Sequence, residues 1–189
     1  DIADYITVNI SSPNTEGLRD FHDQEKLKDL LFALNKIKKD NKTNIPLLLK
    51  ISPDIKDNHI SEIVDVATQN DISAIILTNT TNSNRDNLVS EAKKEEGGLS
   101  GEPIQQISIN MIKKFYKQLN GRIPIIGVGG VNSGKTAYEK IIAGASLLQL
   151  YTGFVYKGPL VAKDIKKELI QILKSEGINN IKEAVGKDV

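Results

Sequence analysis

What most constrains this chain is a strict alternation, repeated five times, of short apolar runs with longer amphipathic stretches. The runs are Tyr5 to Val8, Leu47 to Ile51 behind Pro46, Ala74 to Thr78, Pro124 to Val128 and Leu147 to Leu150. They are too short for helices and rich in branched side chains, so they read as strands. Between them, Gln24 to Asp40 places Leu27, Leu30, Leu31, Leu34 and Ile37 at helical spacing,. Helices are likewise expected over Asp57 to Asn70, Ile104 to Leu119, Lys135 to Ala143 and Val161 to Lys174, with a short one near Ile181 to Val185. A run such as Leu-Leu-Leu-Lys-Ile, apolar at successive positions, suits a parallel strand buried on both faces. The pattern predicts an α/β fold with a parallel sheet, and no linker divides it, so residues 1–189 are expected to form a single domain,. Folds of this kind place their sites at the C-terminal ends of the strands.

Those ends are where this sequence becomes polar. The first run passes into Asn9 to Arg19, NISSPNTEGLR, with two amides, three hydroxyls, a proline that stops pairing and a glycine that permits a tight turn,. Taken alone, an Asx or Ser/Thr turn is the plainer reading of such a stretch. The third run ends in Thr78-Asn79-Thr80-Thr81, the fourth in Gly127-Val128-Gly129-Gly130 and the fifth in Tyr151-Thr152-Gly153. The polar loop Asn82 to Glu102 contains Gly97-Gly98-Leu99-Ser100-Gly101, suited either to close approach of backbone to a ligand or to a flexible linker,. Lys50 interrupts the second run. A buried strand lysine is costly unless its ammonium meets a partner or ligand, so it is either functional or on an edge from which it reaches water.

Composition removes several classes of function. A formal net charge of +1, with Lys interleaved among Asp and Glu, gives no electrostatic reason to expect nucleic acid,. Without cysteine there are no disulfides or thiolate metal sites, and two histidines, His22 and His59, make a histidine metal centre or triad hard to assemble; both are expected at the surface and no metal is expected,. No apolar run approaches the roughly 20 residues of a membrane span,.

Gly129 to Thr136, GGVNSGKT, satisfies the G-x-x-x-x-G-K-[ST] pattern between a strand and a helix,. A P-loop nucleotide-binding protein is therefore one reading, with Lys135 on the terminal phosphates and Thr136 on magnesium. Against it, no other strand ends in the second acidic motif, and the match falls in the fourth unit. The competing reading is a barrel phosphate site made by Gly129 and Gly130 after one strand and Tyr151 and Thr152 after the next. It accounts for both strand ends together.

NISSPNTEGLR resembles the active-site loop of the class 2, quinone-linked dihydroorotate dehydrogenases, and TNTT, GGLSG, IPIIGVGGV and GASLLQLYT extend the similarity, in the family's order, over nearly the whole chain. The resemblance implies part of a (β/α)8 TIM barrel, five units corresponding to its fourth to eighth strands, in a flavoenzyme oxidising dihydroorotate to orotate in pyrimidine (UMP) synthesis. It implies FMN contacts at Asn9, Lys50, Thr78, Ser100, Gly101, Gly129, Gly130, Tyr151 and Thr152, and substrate contacts at Asn9, Asn14, Asn79 and Thr80. Ser12 becomes the catalytic base, where the soluble class 1 enzymes have cysteine, and Thr15 helps to order a water relay. The resemblance further implies that electrons pass to a quinone through an N-terminal region outside this chain, and that the same region gives association with the mitochondrial inner membrane or, in a prokaryote, the bacterial inner membrane. The first three strands and a further Lys and Asn of the site are also expected to lie outside it, so the 189 residues alone are expected to be inactive. A barrel fragment acting only in assembly is a third reading.

Overall fold

Five parallel strands form one sheet in the order β1-β2-β3-β4-β5 in the computed structural model, which describes residues 2–83 and 85–189. The strands are β1 (Ile6–Asn9), β2 (Leu47–Ile51), β3 (Ile72–Leu77), β4 (Ile125–Val128) and β5 (Ala145–Gln149). Six α-helices lie between and after them among the described residues: α1 (Gln24–Asp40), α2 (Asn58–Gln69), α3 (Gln105–Leu119), α4 (Gly134–Ile142), α5 (Thr152–Lys157) and α6 (Val161–Ser175). The strict strand-helix alternation of the sequence is thus the architecture of the molecule.

Side chains alternate faces along a strand, so the register determines which residues share a side. Leu47, Leu49, Ile51, Ile75, Leu77 and Ile125 face the helices and join the main core with Leu27, Leu31, Ile63, Ile112 and Phe115. The opposite face carries a smaller cluster of Leu48, Ala74, Ile76 and Ile126, with Val128 against it. The same register sets Asn9 beside Lys50, Lys50 beside Ile76 and Ile76 beside Ile126. Lys50 therefore stands on the inner face of an interior strand; the edge position that would release it to water does not apply. Among the described residues β1 and β5 pair on one side only, and Tyr5, Ile6 and Leu147 are 48%, 47% and 62% exposed.

Local sequence signals explain the helix ends. Asp23 caps α1, its carboxylate accepting from the Lys26 N–H at 3.2 Å, and Ser133 caps α4 in a reciprocal capping box with Thr136,. The expected boundaries shift in a few places. Asn9 closes β1 rather than opening the loop, β3 starts at Ile72, and β5 spans Ala145–Gln149. Tyr151-Thr152 leads directly into the short helix α5, which the β-branched and aromatic residues of Thr152–Lys157 conceal,. His22 is also not at the surface: it is buried against the turn of Arg19, and desolvation, followed by the nearby Arg19 charge, lowers its pKa to about 4.

One buried charge stands apart from the site. Lys140 on α4 has no exposed surface, and its Nζ finds no hydrogen-bond partner among the described residues. Burial lowers its pKa from 10.5 to about 8, with Glu139 opposing the shift,. Between pH 8 and 10.5 the folded chain has lost this proton while the unfolded chain keeps it, so folding stability rises with pH across that window,. Below it both states are protonated and the full penalty persists. Lys140→Met is expected to raise stability near neutral pH by an amount on the order of 3 kcal/mol. It should also flatten the rise between pH 8 and 10.5, as read by denaturant melts at several pH values.

Candidate active site

The C-terminal ends of the strands are stitched together before any ligand is considered. The Thr78 N–H donates to the Val128 carbonyl at 3.1 Å and the Asn79 N–H to the Ile51 carbonyl at 2.9 Å. From α3, the buried Ser108 hydroxyl donates to the same Val128 carbonyl at 2.7 Å. Strand-end carbonyls that would otherwise be desolvated without partners are thereby satisfied, and the ends of β2, β3 and β4 are fixed relative to one another.

Asn9 and Asn79 meet above this layer. The Asn9 side-chain oxygen accepts from the Ser11 hydroxyl at 2.7 Å and from the Asn79 amide at 3.2 Å, while the Asn79 amide also donates to Ser11 Oγ at 2.9 Å. The Asn79 side-chain oxygen accepts from the Thr80 N–H at 2.8 Å. Ser11 is completely buried in this network. Nothing in the SSPN run separates it from Ser12 by residue type, and only its inward orientation reveals its part.

A cleft of about 310 Å³ opens over these strand ends, and Lys50, Thr78, Asn79, Thr80, Ser100, Gly101, Gly129, Gly130, Tyr151 and Thr152 all line it. Lys50 is half-buried, and desolvation lowers its pKa, with no carboxylate among the described residues opposing the shift,. Opposite it, Gly130 has φ 78° and is pressed on the start of α3, where an added Cβ would stand 2.5 Å from Gln105 Cβ,. Tyr151, at the N-terminal end of α5, makes no side-chain cap, and the Ser100 and Thr152 hydroxyls hydrogen-bond at 2.9 Å across the same wall. Backbone at two strand ends, a hydroxyl pair and one ammonium form a polar rim over the apolar floor of Ile104 and Val128, suited to an anionic, largely planar ligand,.

Three of the expected residues stand apart from this wall. Asn9 reaches it through Asn79. Ser12 is half-exposed, its Oγ accepting from the Asn14 N–H at 3.3 Å and the Thr15 hydroxyl at 3.5 Å. Asn14 is exposed and lines a neighbouring groove with Pro13, Asn82, Arg85, Glu96 and Gly97. The two regions touch at Gly98, where an added Cβ would overlap Thr80 and stand 3.0 Å from Pro13 Cγ.

The P-loop pattern is committed to local structure. Thr136 Oγ1 accepts the N–H groups of Asn132 and Ser133 at 2.9 and 3.0 Å, and the Gly134 N–H donates to the Glu168 carboxylate at 2.5 Å. A carboxylate thus occupies one of the amides a phosphate would need, and Lys135 is exposed on the first turn of α4. Among the described residues no cluster of His, Cys, Asp and Glu has the arrangement for a metal ion.

The dihydroorotate dehydrogenase family model matches residues 1–173, and the chain belongs to that family. It is 46% identical over 171 residues to the dihydroorotate dehydrogenase (quinone) of Christiangramia forsetii, covering 90% of this chain and 50% of that protein. With the mitochondrial dihydroorotate dehydrogenase (quinone) of Arabidopsis thaliana it shares 43% identity over 191 residues, 98% of this chain and 42% of the relative. The ligand-free DHODH structure from Eimeria tenella superimposes with a TM-score of 0.91 at 37% identity, over 98% of this chain and 56% of that one. The chain spans about half the length of the curated relatives it matches. Its five strand-helix units are accordingly a partial (β/α)8 barrel, with the cleft at the end of the strands where barrels carry their sites,.

Because Lys135 is exposed, Lys135→Ala is expected to leave thermal stability unchanged, as read by a thermal melt. Calorimetric detection of ATP binding at millimolar or better affinity, abolished by this substitution, would instead restore the P-loop reading.

Proposed function

We propose that this chain is the C-terminal part of the FMN-binding barrel domain of a quinone-linked dihydroorotate dehydrogenase, which oxidises dihydroorotate to orotate in pyrimidine synthesis. The observation that carries the reading is the convergence of residues from four strand ends and the Ser100 loop on one polar-rimmed cleft, in a chain belonging to this family.

The lining fits FMN. The close approach of Gly129 and Gly130 to α3 leaves their backbone, rather than side chains, facing the cleft. Together with Tyr151 and Thr152 it suits a phosphate. Thr78, Ser100 and Gly101 offer hydroxyl and backbone groups to the rest of the cofactor. When bound, FMN supplies the acceptor for the hydride that leaves C6 of dihydroorotate. Lys50 contributes positive charge in a partly desolvated position, where it favours the build-up of negative charge nearby,.

Asn79 and Thr80 present an amide and a hydroxyl to a pyrimidine-dione edge, with Asn9 behind them and Asn14 from the adjoining loop. Ser12 Oγ takes the proton from C5, so that loss of this proton and of the C6 hydride leaves the C5–C6 double bond of orotate. A serine hydroxyl is a weak base near neutral pH, and the proton must move on. Thr15, whose hydroxyl already meets Ser12 Oγ at 3.5 Å, orders the water that receives it. Ser12 lies on a half-exposed loop, so its stretch closes toward the cleft when substrate is bound,.

A quinone is the final electron acceptor, and the proposal includes residence at a membrane. The Arabidopsis relative is named as mitochondrial, whereas the Christiangramia relative is bacterial. No helix among the described residues is long and apolar enough to cross a membrane; contact with the quinone is assigned, by the family resemblance, to a region outside this chain.

In a protein of the relatives' full length carrying this chain, Ser12→Ala is expected to retain flavin while dihydroorotate oxidation falls by about 100- to 10,000-fold. Ser12→Cys should lose less, because a thiol can still accept the proton. Steady-state turnover of Ser12→Ala within a few-fold of wild type would remove Ser12 from the role.

A further inference from the structure

The loop following β2 contains a carboxylate whose contacts all reach outward to its two neighbouring loops. Asp54 Oδ2 accepts from Arg19 Nη2 at 3.0 Å and from the Asn82 N–H at 3.3 Å. Its Oδ1 accepts from the Thr81 hydroxyl and, at 3.1 Å, from the Ser83 hydroxyl. A carboxylate has about four acceptor sites, and here all four are taken by donors from elsewhere in the chain. One donor belongs to the 3-10 turn Leu18–His22 that ends the Ser12 loop. The other three belong to the segment just after Asn79 and Thr80. Asp54 itself is held from behind, its N–H donating to the Ser52 hydroxyl at 3.2 Å.

The connections continue toward the cleft. Thr81 and Leu99 exchange backbone hydrogen bonds at 3.1 and 2.7 Å, and the next residue, Ser100, meets Thr152 at the cleft wall. On its other side the serine loop begins at Ser11, which is buried and hydrogen-bonded to Asn79. The segment from Ser12 to Leu18 is thus suspended between two anchors on the same neighbouring loop, Ser11–Asn79 at one end and Arg19–Asp54–Thr81 at the other. Between them Asn14, Thr15, Glu16 and Gly17 are exposed. The first anchor is part of the candidate substrate site; the second touches neither substrate nor cofactor positions.

We propose that Asp54, with Arg19, is a positioning residue for the serine loop: it sets where Ser12 stands relative to Asn79 and Thr80 by joining the end of one loop to the root of the other. This rests on the reading of Ser12 as the proton acceptor. The Arg19–Asp54 pair is partly exposed, with side chains 31% and 19% accessible, so breaking it at Arg19 should cost little global stability and act through loop placement, whereas Asp54→Ala also takes an acceptor from the buried Thr81 hydroxyl,. A misplacement of about 1 Å at a reacting group can lower a rate by about 100-fold.

The test uses the flavin-loaded, full-length protein with Asp54→Ala, Arg19→Met, the double variant and Asp54→Asn. Flavin reduction by dihydroorotate is followed under anaerobic stopped flow, and amide hydrogen exchange is measured over residues 12–18. The proposal expects unchanged flavin content, a reduction rate lower by about 10- to 100-fold in each single variant, and a double variant no slower than the worse single one, since both remove the same anchor. It also expects a larger isotope effect from deuterium at C5, where the proton leaves, than in wild type, and faster exchange over residues 12–18, joined in the Asp54 variants by Asn82, whose N–H loses its acceptor. Asp54→Asn, which keeps acceptors for Thr81 and Ser83 but loses the charge facing Arg19, should fall between. Wild-type reduction rates with unaltered exchange would overturn the proposal, as would losses explained by lost flavin. If wild-type protein were inert toward dihydroorotate while the variants still released the loop, the functional reading would fail and the anchor would stand.

Discussion

The parallel register between β1 and β2 is the constraint on which the rest depends. It is fixed by Leu49 and Ile51, which have no exposed surface on the helix side, and it places Lys50 next to Asn9 on the other side. A slip of one residue would turn Lys50 into the helix-packed core and bring Leu49 and Ile51 to the cleft. The apolar pattern therefore sets the positions of the polar residues. Burying a charged amine among Leu27, Leu31 and Ile63 would cost far more than leaving it half-solvated at the strand end,.

A second requirement follows from bringing strand ends this close. Their last carbonyls lose water and need donors, and the molecule supplies them from the neighbouring chain turns, Thr78 and Asn79, and from Ser108 on the helix behind,. The strand ends beneath the cleft are consequently tied together by hydrogen-bonded backbone. The cleft mouth is formed by longer loops held by side chains, with Asn9, Ser11 and Asn79 as the inner tie and Asp54 as the outer one. Tied strand ends below and adjustable loops above suit a site that holds a cofactor firmly and closes on a smaller substrate.

Much of this was legible in the residues. Short continuous apolar runs marked the strands and period-3.6 apolar patterns the helices, and clusters such as TNTT and GVGG marked the ends that face the cleft. The invisible parts have physical reasons. Ser11 and Ser12 are chemically identical, and only the direction of the chain after Asn9 buries one and half-exposes the other. Asp54 in Ser-Pro-Asp reads as a turn residue, because its donors at Arg19 and Thr81 to Ser83 are far away in sequence. Lys140 sits in a helix whose pattern gives no warning of a buried amine, and α5 is too short for its periodicity to show. The GGVNSGKT match has the opposite failing: a full motif whose amide and hydroxyl groups serve helix capping and Glu168 instead.

The proposed function requires one cleft at the strand ends to hold both the electron acceptor and the pyrimidine ring. Anaerobic titration of the purified full-length protein with dihydroorotate, followed by flavin absorbance, addresses both at once. The account predicts a yellow protein whose absorbance is bleached in proportion to added dihydroorotate, with one orotate formed for each flavin reduced. A colourless protein, or a yellow one whose absorbance stays unchanged with dihydroorotate in excess, would contradict it.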